Sequence, residues 1–328
     1  MLGLSRKTKV STGASLPVVV GLAAACAFLI VGCLVSDILA QQTVAGLAEG
    51  AIFASLALAL VLIYRATEVI NFAQGEMAMA TTYIAYQLTL WHITYWLAFF
   101  LTLVIAFAVG IVVYGVLIRP VQHRSVIALV IVTVGLFILI DGLVTWKWGA
   151  DLKFMAAPFG NTVYHAGGVA FARQDIGVLL VSILSVILLW VLFQFTKLGL
   201  AMRAAALRPA AASLVGVRVD WMLALGWGLA AVLGAVAGLM TEPSQFLQPT
   251  MMQAILLYAF AAAVLGGLES PAGSVVGGLA LGVFLNLVGQ YVGFATSELR
   301  LPIAFFVLLV VLLLKPTGLF GRRQVRRV

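Results

Sequence analysis

Long apolar runs, parted by short polar connections, constrain this chain more than any other feature. They cover roughly residues 16–35, 44–64, 76–91, 95–118, 126–146, 176–195, 221–240, 251–267, 273–292 and 301–314. About 20 apolar residues in a helix cross the hydrocarbon layer of a bilayer. In lipid, backbone polar groups must bond internally, which only helices and closed barrels achieve. A barrel would alternate polar and apolar residues, whereas these runs are continuous. With 64% hydrophobic residues, 9% charged residues and a mean hydropathy of +1.17, neither a soluble globular domain nor a disordered chain fits. The expected fold class is an all-α polytopic membrane protein with about ten transmembrane helices.

The net charge of +8 would suit a nucleic-acid partner if it formed a stripe on a soluble fold. Instead the cations sit between apolar runs and at the two ends, where they act as topology signals. With the N-terminus in the cytoplasm, only Lys147, Lys153, Arg173 and Arg300 fall on the outer side. All other Lys and Arg residues fall inside, so the N and C termini are both expected in the cytoplasm. Trp91, Trp96, Trp146, Trp148, Trp190 and Trp221 fall near predicted span ends, where amphipathic rings settle.

Several chemistries are not written in the chain. Cys26 and Cys33 stand on one predicted helix about 10 Å apart along its axis, too far to bridge, and read as small packing residues. His92, His123 and His165 lie in separate connections and form no metal constellation. There is no G-x-x-x-x-G-K-[ST] loop to cradle a nucleotide phosphate, and no nucleophile–base pair. The expectation is a non-enzyme without cofactor or metal.

The chain divides into a basic cytoplasmic N-terminus (1–15), a transmembrane domain (16–314) and a basic cytoplasmic tail (315–328). Two connections are long. The external one, 147–175, contains Pro158, Gly160, Asn161, Gly167 and Gly168, and suits a small outer feature. The cytoplasmic one, 196–220, is alanine-rich and cationic. Residues 198–207 have helical composition, Pro209 suits the first turn of a second short helix, and Gly216 can stop it. Two readings are open for this elbow: a docking surface for a partner, or a basic helix lying on anionic membrane lipid. Gly46 and Gly50, Gly234 and Gly238, Gly273 and Gly277, and Gly278 and Gly282 stand four apart, the spacing of close helix packing. Ten spans split after the fifth give an inverted five-plus-five repeat. The polar break at 71–76 would then answer to the turn at 266–273.

Between the runs 44–64 and 77–90 lie Arg65, Glu68, Asn71, Gln74 and Glu76, which a lipid-facing helix would not carry. Gly75 permits a sharp break there. A helix starting near Gln74 leaves free N–H groups and a partial positive charge, a setting for a carboxylate. The competing reading is a turn at the cytoplasmic surface capped by Asn71 or Gln74. Asn71, Phe72, Gln74, Gly75 and Glu76 are therefore candidate path or gate residues, placed toward the inner mouth. Glu49 and Asp141, near the outer ends of their spans, are candidate linings of a substrate entrance, or snorkelling groups.

INFAQGE at 70–76 resembles the signature of the branched-chain amino acid permeases, the membrane subunits of ABC importers. GLAMRAA at 199–205, continuing through AASLVG at 211–216, resembles the family's ATPase-contacting loop. LGGLESPAG at 265–273 is similar to its glycine-rich turn, and KPTGLFG at 315–321 to its C-terminal ending. The four occur in family order. The resemblance implies a permease subunit in the bacterial inner membrane that forms a path for branched-chain or related amino acids. Its implied partners are two ABC ATPase subunits, a second homologous permease and a periplasmic substrate-binding protein. It implies ATPase coupling through Gly199, Arg203, Ala204, Ala205, Ala211, Leu214 and Gly216. Three features depart from the family pattern: the extra first span at 16–35, Arg65 with Glu68, and Arg208 with Pro209. Related permeases move urea, short amides or sugars, and an ion-coupled secondary transporter is the reading from another class.

Overall fold

The computed structural model describes residues 36–122, 124–160, 162–166, 169–292 and 297–321. The expected first span at 16–35, with its two cysteines, lies outside them. Eleven α-helices are described: α1 (Asp37–Thr67), α2 (Gln74–Leu90), α3 (Tyr95–Val113), α4 (Val126–Trp148), α5 (Arg173–Phe195), α6 (Lys197–Leu207), α7 (Pro209–Leu214), α8 (Val219–Gln245), α9 (Gln253–Gly266), α10 (Pro271–Tyr291) and α11 (Arg300–Leu314). A π turn over Tyr114–Ile118 prolongs α3.

Six of these elements are long and apolar enough to cross a membrane: α1, α3 with its π turn, α4, α5, α8 and α10. The other three apolar helices fall short of a full span, with 17 residues in α2, 14 in α9 and 15 in α11. Among the described residues, six helices by themselves reach spanning length, which supports an all-α polytopic membrane protein. The physical reason that α2 and α9 fall short is that irregular backbone at 68–73 and 246–252 takes up part of each crossing. The departure from all-α is a small antiparallel hairpin in the external connection, β1 (Val163–Ala166) with β2 (Val169–Ala172).

Helix starts follow local chemistry. The hydroxyls of Ser36, Ser125, Thr196 and Ser270 accept from the backbone N–H three residues on, satisfying donors that a helix start leaves open. Pro209 and Pro271 occupy first-turn positions, where no N–H is needed.

The centre of the bundle is α1, whose most apolar window is 89% buried against 17% for α4. It packs on α10, α8, α5 and α9. The α1–α10 contact is closed by Gly46 and Gly50 against Gly278 and Gly282. A Cβ on Gly50 would stand 2.9 Å from both the Gly278 carbonyl and Leu279 Cα, so only glycine permits this approach. The α3–α8 contact uses the same device, since a Cβ on Gly110 would lie 2.6 Å from the Trp227 carbonyl.

The turn at 266–273 does not answer to the polar break. It packs on the C-terminal segment, where Leu319 N–H donates to the Leu265 carbonyl (2.7 Å) and Phe320 N–H to that of Gly266 (3.1 Å). Two motifs that look independent in sequence thus form one lock. The segment that meets the polar break is the return at 246–252, the connection between α8 and α9.

Candidate functional site

Helix α1 ends at Thr67, and Glu68 follows in the left-handed region (φ 57°). The chain then runs irregularly to Gln74, where α2 begins as the sequence predicts. Asn71 holds the break together: its Oδ1 accepts from Ala73 N–H (3.1 Å) and its Nδ2 donates to Gln74 Oε1 (3.1 Å). Gln74 Nε2 in turn donates to the Ala230 carbonyl of α8 (2.9 Å). Ala230 lies roughly 16 Å along α8 from Val219, at 1.5 Å per residue. The first turn of α2 therefore sits well inside the bundle rather than at its inner surface. Phe72 is 42% exposed, while Asn71, Gln74 and Glu76 are buried.

Gly75 faces the start of α9. A Cβ there would meet Leu256 Cβ at 3.2 Å and the Met252 carbonyl at 3.3 Å. Two interrupted helices thus bring their N-terminal turns together, with the partial positive charge of each pointing into the same region.

Glu76 is 1% exposed. Its carboxylate is within electrostatic range of Asp141 on α4 and neighbours the Gln253 amide at the start of α9. Neither oxygen makes a hydrogen bond of ordinary length and angle, and Asp141 Oδ1 is likewise buried without one. Seven residues on along α2, Tyr83 stacks at 5.3 Å on Trp148 of α4, whose indole N–H donates to Gln87 Oε1 (3.0 Å). A polar and aromatic seam therefore runs between α2 and α4 above the break. Spacing along the sequence does not pair Glu76 with Asp141, because they stand on different helices. Nor does it pick out Gln253, whose one signal is a polar residue opening an apolar run.

Glu49 lies elsewhere. Arg300 Nη2 approaches its Oε2 at 3.0 Å and Asn286 Nδ2 donates to the same oxygen at 2.6 Å. This joins α1, α10 and α11 roughly 27 Å along α1 from Thr67. The structure does not bring Glu49 to the break. Glu242, not singled out by the sequence reading, accepts from Met155 N–H (2.8 Å) through Oε1 and so ties the external connection to α8. A second tie pairs the backbones of Lys153 and Leu247 in both directions (2.9 and 3.1 Å).

At the end of the bundle opposite the hairpin, α6 and α7 form the elbow expected from sequence, stopped at Gly216 (φ +84°). Gly199 and Ala205 are buried, Arg203 and Ala204 half-buried, and Ala211, Leu214 and Gly216 exposed. Ala204, Leu207, Arg208, Ala211, Ala212 and Val215 line a largely apolar groove of about 500 Å³. Arg203 Nη1 donates to Gln194 Oε1 (3.1 Å) and lies within electrostatic range of Arg65, as does Glu269. The elbow thus touches the C-terminal end of α1, which leads into the break.

Comparison with known proteins agrees with this geometry. Residues 42–314 match the family model described as branched-chain amino acid transport system / permease component. The chain is 30% identical over 304 residues to the high-affinity branched-chain amino acid transport system permease protein LivH of Escherichia coli (strain K12), covering 88% of this chain and 97% of that one. It is 32% identical over 295 residues to the probable branched-chain amino acid transport permease protein LivH of Methanocaldococcus jannaschii, covering 83% and 91%. Among solved structures, PsaBC from Streptococcus pneumoniae in complex with Fab aligns over 89% of this chain and 97% of that one, at 12% identity and a TM-score of 0.47, too weak a likeness to define the fold. The family match spans the break, the elbow and both interrupted helices, and this multi-pass inner-membrane chain belongs to the branched-chain amino acid transport system permease component family.

Proposed function

We propose that this chain forms the translocation path of an ABC importer for branched-chain or related amino acids. A periplasmic binding protein delivers substrate to the outer face. Two ATPase subunits grip the elbows, and a second homologous permease completes the pore. The N and C termini lie in the cytoplasm, with a basic N-terminus at 1–15, the transmembrane domain at 16–314 and the tail at 315–328. The observation that carries this reading is the elbow. A polar cytoplasmic connection exposes Leu200, Leu207, Leu214 and Val215 around an apolar groove, in a chain with no phosphate-cradling loop of its own. Exposed apolar patches rimmed by polar residues mark protein or membrane contacts, and the concave groove favours a protein. Closure of the ATPases would pull the elbow, and Arg203 beside Arg65 passes that pull to α1 and the break. Glu49 acts as an outer latch between α1 and α11.

The inverted repeat is part of this reading, and the packing supports it. With 16–35 counted as the first span, the contact of α1 with α10 corresponds to that of α8 with α3. In the same scheme, α2 with α8 corresponds to α9 with α1, and α2 with α4 to α9 with α11.

Reconstituting the whole importer tests the proposal: leucine uptake should require internal ATP and persist in the presence of an uncoupler. Uptake by this chain alone without ATP would overturn it. Glu76 beside Asp141 favours one second reading, an ion-coupled transporter, which the uncoupler arm separates. Arg203→Glu should leave membrane insertion intact and cut both ATPase stimulation and uptake; unchanged values would remove the elbow from the coupling path.

A further inference from the structure

We propose that Glu76 and Asp141, with the Gln253 amide, form a subsite for a primary ammonium group, occupied in passage by the positive end of a zwitterionic substrate. This rests on the amino-acid reading above and adds where the substrate's cation sits.

The case begins with burial. Glu76 is 1% exposed, and both its oxygens lack an ordinary hydrogen bond. Asp141 brings a second carboxylate from another helix, again with a buried oxygen left over. No Lys or Arg is among the groups acting on Glu76. A carboxylate as deep as Glu76, with the half-buried Asp141 in electrostatic range, persists only where something compensates it. An ammonium group does so in charge and in donor count, since its three N–H bonds match oxygens from Glu76, Asp141 and Gln253.

The other end of an amino acid is also provided for. The backbone N–H groups of Gly75 and Glu76 in α2, and of Ala254 and Ile255 in α9, have no hydrogen-bond partner among the described residues. They open two helices whose starts converge here, a setting for a carboxylate. Met252 and Leu256 lie beside Gly75 and offer apolar surface for a side chain. The Glu76 carboxylate is closed off in this conformation, and Gln253 is its half-exposed neighbour. Loading therefore requires the first turn of α9 to draw back from Gly75. Such a subsite prefers amino acids over urea, short amides and sugars, none of which carries an ammonium group.

The test is equilibrium binding of labelled leucine to the purified permease–ATPase complex in nanodiscs, without binding protein. Two competitors divide the substrate: 3-methylbutylamine has the ammonium and no carboxylate, and 4-methylpentanoate has the reverse. The amine should compete through Glu76 and Asp141, whereas any competition by the acid should not depend on them. Glu76→Gln and Asp141→Asn should each weaken amine competition about tenfold or more, the scale of a lost charge-assisted hydrogen bond, and Glu76→Asp should restore part of it. Elution of the intact complex controls for folding; where Glu76→Gln fails to assemble, Asp141→Asn decides. An amine that does not compete, or carboxamide variants that bind the amine as wild type, would each overturn the proposal. Failure of the amino-acid reading looks different: the whole wild-type system would import no leucine, while labelled amine would still bind in a Glu76-dependent way.

Discussion

The two interrupted crossings, at 68–73 and at 246–252, meet at Gly75 and Met252 yet are held in opposite ways. The first is polar and fastened inward. Asn71 and Gln74 bond to each other, and Gln74 bonds to the middle of α8. The second buries Leu247, Pro249, Met251 and Met252 and is fastened outward, to the external connection through the Lys153–Leu247 backbone pair and beside Glu242 with Met155. This difference in anchoring predicts a first break that stays fixed on α8 and a second that moves with the connection to which it is tied. A partner bearing on the external connection would reach the start of α9, not the start of α2. Ring contact between Phe154 and Phe246 at 5.1 Å stiffens the same outer tie.

The largest effect should come from closing the gap where the two breaks touch. In Gly75→Ala the new Cβ would stand 3.2 Å from Leu256 Cβ, a contact that small shifts relieve, so uptake should fall modestly. Gly75→Leu has no such room and should abolish ATP-driven uptake while leaving the chain inserted in the membrane. Normal uptake by the leucine variant would show that the two breaks need not approach each other.

Next in size is the inward fastening. Gln74→Leu leaves the Asn71 amide only the weak Met77 Sδ acceptor (3.8 Å) and the Ala230 carbonyl without its side-chain donor. A buried polar group left unmatched costs about 1–3 kcal/mol. Uptake should fall about tenfold or more on that scale, with a lower Tm for the complex. A variant that keeps wild-type Tm and uptake would mean that the first break is not fixed on α8.

Parts of this contrast are readable from the residues, and parts are not. The start of α2 at Gln74 and the stops at Leu207 and Gly216 follow from local rules, since polar residues, proline and glycine act on their own backbone. The lock of 265–273 with 315–321 contains two visible motifs, but its pairing depends on long-range backbone contacts that spacing does not encode. The same holds for Glu76 with Asp141, and for Glu49 with Arg300 and Asn286. Helices apolar on every side carry no periodic stripe to say which face turns inward. The polar residues are therefore visible one at a time, while their partners are not. The number of spans has a related cause: hydropathy reports that a run is apolar, not whether its helix alone crosses the bilayer.

The smallest effect tests the outward fastening by separating side chain from backbone. Both bonds between Lys153 and Leu247 run through main-chain N–H and C=O groups. Lys153→Ala keeps both, so uptake should stay within about twofold of wild type, as for surface substitutions away from a special contact. Lys153→Pro removes one donor outright. Its uptake should fall further than that of the alanine variant, and the Leu247 amide, bonded to the Lys153 carbonyl, should exchange its hydrogen faster. Equal uptake and equal exchange in the two variants would detach the external connection from the second break. The start of α9 would then have no route by which an outer partner could move it, and the two breaks would be alike.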